Sequence, residues 1–401
     1  MLNVKNIIVN YILFSMILVV NVSYASSKIR VAVLDNFHYQ KYVTTQYKSY
    51  YIKGIELAIR QANENDNRIV YRVFQYNQSP LSILDTLKEL DEWNPDVVLG
   101  PRDSNKFLLL EKYISDTLTL SPFATSTRIS TLPSNFHSLT LLDNYSAKAM
   151  YEFINSAFPK KGIFVITEAN CKSCMDVSNE LIKIWTTKKG ISPNQSLYVQ
   201  DNIPDSKVLL KGYKKGDLIV LPNMAHSSAV LMATITNQLA STTTFIGGDG
   251  WGSWSDTEAG KLKSNNRYVA YHLVPWGLQG CSQSLIKYRH IYEENYNEPP
   301  VDKLSYISFM SLNSIINAYD KYGSMFTGST KERLLSSYQQ AIKQDPFFFK
   351  PTDYLVYKID GNTNILNATV NVVTGKITNY TDGDTNTTSC IEETDENQTD
   401  K

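Results

Sequence analysis

Three polar residues of the sequence are spaced so that together they could bind a small zwitterion. Ser104, Thr125 and Asp249 each follow a short apolar stretch that predicts a strand, ending at residues 99, 120 and 247. Because ligands collect beyond the carboxyl ends of the strands in parallel α/β sheets, we expect the three side chains to face one cleft. Ser104 precedes a predicted helix, whose free N–H groups suit a carboxylate, whereas Asp249 can accept hydrogen bonds from an ammonium group.

Each of these three residues also has a purely structural interpretation. Ser104 could only cap its helix, and Thr125 could only shape a turn. Asp249 lies between two glycines, a setting that favours turns. The sequence alone leaves both interpretations open at all three positions.

Aromatic residues near the predicted strand ends could stack on a solute. Phe37, Tyr39 and Tyr42 lie in the loop after the first predicted strand, and Trp251 follows Asp249 by two positions. The chain has 26 tyrosines, so aromatic side chains are common on its surface and carry no signal by themselves. We expect Tyr39 and Trp251 to be the aromatic contacts of the site.

Two cysteines separated by two residues, Cys171 and Cys174, follow another predicted strand. In an oxidising compartment they would form a local disulfide, which is the interpretation we prefer. A metal site with His226 and Asp249 is an alternative, because all four would lie at the same end of one sheet. A thioredoxin-like redox pair fits this fold context poorly. A haem attachment is excluded because Met175, and not histidine, follows the second cysteine.

Signatures of enzymes are absent from the sequence. It contains no nucleophile elbow, no phosphate-binding loop and no His-Glu-x-x-His motif. Residues 284–287 fit the pattern Ser-x-x-Lys, but that short pattern occurs by chance and has no companion motif here. The five histidines have no metal-ligand spacing. We therefore expect a binding protein without cofactor or metal, and not an enzyme.

The composition describes a folded protein without a polyanionic partner. The 401 residues include 39 Lys and Arg against 39 Asp and Glu, so the formal net charge is zero. Such a balance excludes the electrostatic pattern of proteins that bind nucleic acid or anionic membranes. Apolar residues make up 42% of the chain and charged residues 19%, which is typical of globular domains. The length allows two to three domains of ordinary size.

The first 25 residues have the pattern of a cleaved secretory signal. Lys5 is the only charge in the first 27 residues, and residues 7–20 are almost wholly apolar. That run is shorter than the roughly 20 residues that a membrane-spanning helix needs. Small residues at positions 23 and 25 then form a cleavage site, so we expect the mature chain to begin near Ser26 in the periplasm. An uncleaved anchor is the alternative.

Short apolar strands alternate with amphipathic helices twice along the chain, at residues 29–120 and 147–247. This alternation indicates βαβ units on parallel sheets, and its repetition predicts two α/β lobes. Residues 268–276 are interpreted as a crossover between the lobes. From Asp382 onward the chain carries seven acids and one base, which predicts a disordered tail at 382–401. Cys281 and Cys390 could pair with each other, but the sequence leaves their connectivity open.

Five segments, in this order and spacing, resemble landmarks of one protein family. They are the helix residues 54–58 followed by Asn63, the turn at 100–104, the Ser-Pro-Phe-Ala-Thr-Ser segment at 121–126, the turn at 248–251, and a helix pair at 292–322. In these segments, which span roughly residues 28 to 362, the chain is similar to periplasmic solute-binding proteins of the leucine/isoleucine/valine-binding type. Those proteins are the receptor components of ABC importers.

The resemblance implies an α/β fold with two Rossmann-like lobes, parallel sheets and a three-strand hinge. Lobe 1 would comprise 28–140 plus 275–340, and lobe 2 would comprise 141–274 plus 341–381. It also implies solute contacts in the cleft between the lobes; these would come from Ser104, Phe123, Ala124, Thr125, Asp249, Tyr39 and Trp251. The segment around Cys171 departs from the family, which usually has an aromatic-glycine pair there.

The function implied is capture of a small polar solute, an amino acid or related zwitterion, by a monomeric periplasmic protein. Its partner would be an ABC permease in the inner membrane, with no nucleic acid partner and no membrane insertion of its own. Two alternatives stay open at this point. One is a ligand-sensing module of the same fold that serves a receptor. The other is a periplasmic metal or redox protein that uses Cys171, Cys174 and His226.

Overall fold

The computed structural model of the chain describes residues 28–35, 45–64, 67–76, 80–199, 202–239, 242–253, 268–275, 277, 283–300, 303–360 and 363–379. Several predictions concern residues outside these ranges. They are the signal peptide at 1–25, the loop aromatics Phe37, Tyr39 and Tyr42, the pairing of Cys281 with Cys390, and the tail at 382–401. Within the described ranges, no helix combines the length and the apolar character needed to cross a membrane.

The described residues form two sheets with helices packed on them. The strands are β1 (Ile29–Asp35), β2 (Ile69–Gln75), β3 (Val97–Leu99), β4 (Leu118–Ser121), β5 (Phe136–Ser138), β6 (Ile163–Glu168), β7 (Asn194–Tyr198), β8 (Leu218–Leu221), β9 (Thr243–Gly247), β10 (Tyr268–Val274), β11 (Asp353–Asp360), β12 (Thr363–Asn371) and β13 (Ile377–Asn379). The helices are α1 (Thr45–Asn63), α2 (Pro80–Trp93), α3 (Ser104–Leu110), α4 (Asp143–Ala157), α5 (Lys172–Lys189), α6 (Ser206–Leu209), α7 (Ala225–Gln238), α8 (Gln283–Tyr296), α9 (Lys303–Tyr322) and α10 (Thr330–Gln344).

The first sheet has the strand order β2-β1-β3-β4-β5, and its pairs are parallel. Both faces are covered, as parallel sheets require. In β1, Val31 and Val33 belong to a core formed with α1 and the helices α8 to α10, whereas Ala32 and Leu34 belong to a second core on the opposite face, formed with α2 and α3. We call this sheet with its helices the first lobe.

A close contact between α1 and α9 explains one glycine of the family-like first helix. A side chain at Gly54 would collide with the backbone oxygen of Ser305 in α9, so only glycine allows the two helices to pack at this distance. The α9 face that meets α1 is lined with small serines, and the hydroxyl of Tyr288 donates a 2.5 Å hydrogen bond to Ser305. The spacing of apolar residues predicted helices α1 and α9, and Gly54 determines how closely they pack.

The second sheet has eight strands in the order β13-β12-β11-β10-β9-β8-β6-β7. Strands β10, β9, β8, β6 and β7 are parallel, but β11, β12 and β13 are antiparallel to their neighbours. The expectation of two parallel sheets is therefore wrong for this one, which is mixed. The cause is local: β11 and β12 follow each other closely as a hairpin, and antiparallel strands joined by a hairpin need no crossover helix. We call this sheet with its helices the second lobe.

The sequence suggested that residues 268–276 form a crossover between the lobes, and this expectation is wrong. Residues Tyr268–Val274 form β10, which pairs in parallel with β9 and antiparallel with β11. The error arose because the segment Tyr-Val-Ala-Tyr-His-Leu-Val lacks the unbroken apolar run of the other inner strands, although Ala270, His272 and Leu273 are buried. The chain leaves the second lobe only after this strand.

The chain passes between the two lobes three times. The passages lie between β5 and α4, between β10 and α8, and between α10 and β11. The protein thus consists of two Rossmann-like α/β lobes joined by a three-strand hinge, the architecture of type I periplasmic binding proteins. The residue numbers proposed for the domain boundaries stay a prediction.

Candidate functional site

Ser104 joins two loops at the carboxyl edge of the first sheet. Its hydroxyl oxygen accepts hydrogen bonds from the backbone N–H groups of Thr125 at 3.1 Å and Ser126 at 3.2 Å. The helix cap of α3 is supplied by Asp103, whose side chain accepts from the Lys106 N–H at 2.8 Å. The structural alternative that Ser104 serves as the N-cap is therefore wrong. Ser104 instead fixes the segment that carries Thr125.

Hydrogen bonds fix the backbone of residues 121–126, where β4 ends. Ser121 donates a 2.7 Å hydrogen bond to the Pro101 oxygen and accepts from the Ala124 N–H at 3.0 Å. Ala124 is fully buried, so its side chain is part of the core, and any solute contact must use its backbone. Phe123 is half-buried, with its ring 6.2 Å from that of Tyr51. These contacts preset the backbone around Thr125.

Thr125 leads directly to a buried carboxylate that the sequence analysis missed. The Asp143 N–H donates a 2.7 Å hydrogen bond to the Thr125 oxygen, which places Asp143 at the first passage between the lobes. Asp143 is only 1% exposed, and its Oδ2 atom has no hydrogen-bond partner among the described residues. A buried, unsatisfied carboxylate is costly, so the open Oδ2 atom of Asp143 calls for an explanation.

The electrostatic surroundings of Asp143 are acidic. Burial raises its pKa well above the ordinary value, the charges of Asp249 and Asp176 raise it further, and the Thr125 hydroxyl, which hydrogen-bonds to the carboxyl, opposes them. No described cation forms an ion pair with Asp143. The charge of Asp249 thus acts on a carboxyl that hydrogen-bonds to Thr125, and Asp143 and Asp176 are two acids that the sequence did not assign to this place.

Asp249 follows β9 and opens a single 3-10 turn, Asp249–Ser253, in the second lobe. Its side chain is partly buried. Burial raises the pKa of its carboxyl, whereas the ammonium group of Lys303 lowers it. Lys303 is the first residue of α9 in the first lobe. An acid of one lobe and a base of the other therefore act on each other across the cleft.

Asp176 lies on α5 of the second lobe, and its charge acts on Asp143. Its Oδ2 atom accepts a hydrogen bond from Ser126 at 3.4 Å, so this contact connects the two lobes directly. Tyr354 is the second residue of β11, and its hydroxyl forms a 2.8 Å hydrogen bond with the hydroxyl of Ser146. Burial raises the pKa of Tyr354, the hydrogen bond with Ser146 opposes this, and the charges of Asp249 and Asp143 raise the pKa further.

Trp251 does not belong to the site, contrary to the prediction. The side chain is fully buried in the core of the second lobe, and its Nε1–H donates a 2.6 Å hydrogen bond to Ser228. The indole also stacks near His272, with ring centres 6.4 Å apart. The ring lies against Gly247, where any side chain would collide with it. Trp251 is therefore a core residue.

Cys171 and Cys174 form a disulfide, the preferred interpretation of the motif. Cys171 is the N-cap of α5, and its sulfur accepts a hydrogen bond from the Cys174 N–H at 3.3 Å. The bond occupies both sulfurs, so the proposed metal site with His226 loses two of its ligands. Within the described ranges, no group of three or more His, Cys, Asp and Glu side chains is arranged to hold a metal ion.

The residues that the sequence analysis missed had weak signals. Asp143 stands before an amphipathic stretch, where aspartate is usually a helix cap. Here the cap position is Leu142, and Asp143 is the first helical residue. Asp176 and Lys303 lie on helices, and only the meeting of the two lobes brings them to the strand ends. No local pattern predicts such a meeting.

Replacing Asp143 with asparagine is expected to stabilise the solute-free protein at neutral pH. The folded-state pKa of this acid is raised, so the folded state binds more protons than the unfolded state, and stability falls as pH rises above the ordinary value of 3.8. Removing the ionisable group should therefore add on the order of 1–3 kcal/mol to the unfolding free energy at pH 7. Urea unfolding at pH 7 and below 3.8 measures the difference.

The gain should shrink at the lower pH, where the wild-type carboxyl already carries a proton. Asp91→Asn removes an exposed charge on α2 and serves as the matched control, with little effect at either pH. A gain of the same size at both pH values would show that the carboxylate of Asp143 is not the destabilising group.

The comparisons with known proteins agree with this architecture. No protein-family model and no curated protein matches the sequence. Among solved structures, the chain is similar to the leucine-binding protein LivK of Thermotoga maritima, with a TM-score of 0.66 and 14% identity over 86% of this chain and 99% of that chain. At such low identity the similarity establishes the fold alone.

Two further solved structures differ in the ligand that they carry or are named for. One is the branched-chain amino acid binding protein LivJ of Streptococcus pneumoniae in complex with isoleucine, with a TM-score of 0.64 and 14% identity over 84% of this chain and 98% of that chain. The other is a fatty acid ABC transporter substrate-binding protein of Thermomonospora curvata, with a TM-score of 0.63 and 13% identity over 85% and 92%. One fold thus accommodates chemically different solutes.

Proposed function

We propose that the protein is an extracytoplasmic solute-binding protein that captures a small polar solute bearing an ammonium group between its two lobes. The observation that carries this proposal is the group of carboxylates at the hinge. Asp143 is buried without a cationic partner, and Asp249 approaches it from the second lobe. An ammonium group bound between them would supply the missing charge and hydrogen bonds.

The other end of a zwitterionic solute would meet the Ser104 hydroxyl. A serine oxygen can accept two hydrogen bonds and donate one. Ser104 already accepts from two backbone N–H groups, so its own hydrogen is available to a solute carboxylate. The backbone N–H of Thr125 donates to Ser104, and the Thr125 hydroxyl hydrogen-bonds to Asp143. In this proposal Ser104 holds the carboxylate, and Asp249 and Asp143 hold the amine.

Closure of the lobes would complete the site. Ser104 and Thr125 belong to the first lobe and Asp249 to the second, so a solute bound to one lobe gains contacts when the hinge closes. The closed form would then be presented to an ABC permease in the inner membrane, by analogy with the similar ABC transporter substrate-binding protein of Thermomonospora curvata. The proposed role is binding, not catalysis.

The test of this function is the identity of the bound molecule. Protein purified without added solute should release a small ammonium-bearing compound on denaturation, and mass spectrometry of the supernatant would detect it. Small-angle scattering should show compaction when that compound is added back to emptied protein. Failure to release or rebind any such molecule would reject the solute-binding role and leave only the fold.

Export from the cytoplasm is the second part of the proposal. We expect cleavage after Ala25, because small residues at 23 and 25 follow a short apolar run. Amino-terminal sequencing of the exported protein should begin near Ser26. A protein that keeps Met1 and stays with the membrane fraction would contradict both the cleavage and the periplasmic location.

A further inference from the structure

We infer that thiol–disulfide exchange at Cys171 and Cys174 regulates the contact between the two lobes. The pair opens α5 of the second lobe, and the same helix carries Asp176, whose Oδ2 atom accepts a 3.4 Å hydrogen bond from the Ser126 hydroxyl of the first lobe. The disulfide holds Asp176 in place for this contact, and the dithiol form loosens it. The inference rests on the lobe closure of the proposed function, but it requires no solute.

Asp176 lies between two anchors of α5. Before it, the disulfide joins Cys171, the N-cap of the helix, to Cys174, and their Cα atoms are 5.2 Å apart. After it, the hydroxyl of Ser178 hydrogen-bonds to the hydroxyl of Thr167 in β6 at 2.6 Å. The first turn of a helix lacks intrahelical partners for its N–H groups, so helices fray from that end. The disulfide opposes this fraying, and its reduction leaves Asp176 supported from one side only.

Ser126 connects the contact with α5 to the candidate site. Its side chain is 1% exposed, and its backbone N–H donates a 3.2 Å hydrogen bond to the Ser104 hydroxyl oxygen. The Ser126 hydroxyl oxygen accepts from the Arg128 N–H at 3.4 Å, and the same hydroxyl donates its hydrogen to Asp176. A displacement of α5 therefore reaches the backbone of residues 124–128 in the other lobe.

The exposure of the two sulfurs determines how the exchange proceeds. Cys171 is half-buried, whereas Cys174 is 1% exposed, so a thiolate of a dithiol reductant attacks the Cys171 sulfur. A mixed disulfide forms and Cys174 leaves as a thiolate, which the amino end of α5 stabilises. The second thiolate of the reductant then attacks the reductant's own sulfur in the mixed disulfide and releases Cys171. The reductant becomes a disulfide, and two electrons and its two thiol protons pass to the cysteines.

A disulfide that only stabilises the second lobe is the competing arrangement. In that arrangement, reduction changes the dynamics of α5 and of the strands beneath it, and the first lobe does not respond. The inference requires a response across the cleft, at residues 124–128. The two arrangements therefore differ in where the effect of reduction is found.

Amide hydrogen exchange measured by mass spectrometry locates that effect in full-length protein without added solute. Dithiothreitol is the dithiol probe. We expect residues 124–128 to exchange about 2- to 13-fold faster after reduction, the change that loss of one hydrogen bond produces. Cys171→Ser combined with Cys174→Ser should show the same faster exchange without reductant. Dithiothreitol should have no further effect on that variant, which separates these sulfurs from any others in the chain.

Replacing Asp176 assigns the effect to the contact between the lobes. Oxidised Asp176→Ala protein should already exchange at residues 124–128 as fast as reduced wild type, and reduction should add nothing, because the disulfide then has no contact to support. Glu180→Ala removes another acid of α5, which pairs with Lys183 at 3.3 Å, and should keep the wild-type response to reduction. Thermal unfolding verifies that the variants are folded, and the comparison of oxidised with reduced wild type needs no substitution.

Three outcomes would overturn the inference: no change on reduction, a change confined to the second lobe, or a response at residues 124–128 that persists in Asp176→Ala. The proposed function is tested separately, by release and rebinding of a solute. If a solute is released and rebound while the inference fails, solute binding stands without redox control. If no solute is released or rebound while residues 124–128 respond through Asp176, the redox-controlled contact stands and the proposed function fails.

Discussion

Replacing Asp249 with alanine is expected to weaken binding of the released solute by about 10- to 150-fold. The substitution removes a charge-assisted hydrogen bond to the ammonium group, which is worth about 1.5–3 kcal/mol. It also weakens closure, because Asp249 belongs to the second lobe and would contact a solute held by Ser104 and Thr125 only when the lobes approach. Calorimetry measures the affinity, and small-angle scattering measures the compaction.

The effect of Lys303 sharpens this prediction. In the solute-free protein Lys303 lowers the pKa of Asp249, so the two charges attract each other across the cleft. Alanine at position 249 leaves the Lys303 charge acting on the place proposed for the solute amine, and repulsion between like charges should add to the loss. Lys303→Met in the same background should therefore recover part of the affinity.

Ser104→Ala is the matched comparison in the opposite lobe. It removes one hydroxyl donor and releases the Thr125 and Ser126 N–H groups, which can then donate to a solute carboxylate themselves. Its cost should be smaller than that of Asp249→Ala. Unchanged affinity and unchanged compaction in a folded Asp249→Ala protein would reject the role of Asp249 as the amine ligand.

The parts of the fold predicted from sequence were those with local signals. Unbroken apolar strands such as Val97–Leu99 and Leu218–Leu221 were found, because a strand buried on both faces leaves a continuous apolar run. The helices that follow them were found from their spacing. Strand β12 was missed because its sequence Thr-Asn-Ile-Leu-Asn-Ala-Thr-Val-Asn mixes polar and apolar residues, and only pairing with β11 decides its conformation.

The sequence suggested candidate site residues that follow strands, but it did not suggest the acids that lie on helices. Ser104, Thr125 and Asp249 each follow a strand, so the general position of ligands in α/β sheets makes them candidates, and their contact with a solute stays a prediction. Asp143 gains its importance from burial at the hinge and from the charges of Asp249 and Asp176, which are long-range properties. Trp251 was assigned to the site because it is near Asp249 in sequence, but the 3-10 turn directs its ring into the core.

The core position of Trp251 predicts a large loss of stability on truncation. Trp251→Ala should lower the unfolding free energy by about 3–5 kcal/mol, the usual cost of removing a buried large aromatic side chain, since the ring is fully buried against Gly247 and His272. Trp251→Phe retains most of the packing and loses the 2.6 Å hydrogen bond to Ser228, so it should cost less. Urea unfolding measures both.

Solute affinity then distinguishes a core residue from a ligand contact. If Trp251 only supports the second lobe, the folded Trp251→Phe protein should bind the released solute nearly as tightly as wild type. The phenyl ring would still fill the core beneath the Asp249–Ser253 turn and keep its backbone in place. The sequence-based prediction of a stacking contact requires the reverse: unchanged stability with reduced affinity. That result would show that the ring leaves the core to reach the solute, and would return Trp251 to the site.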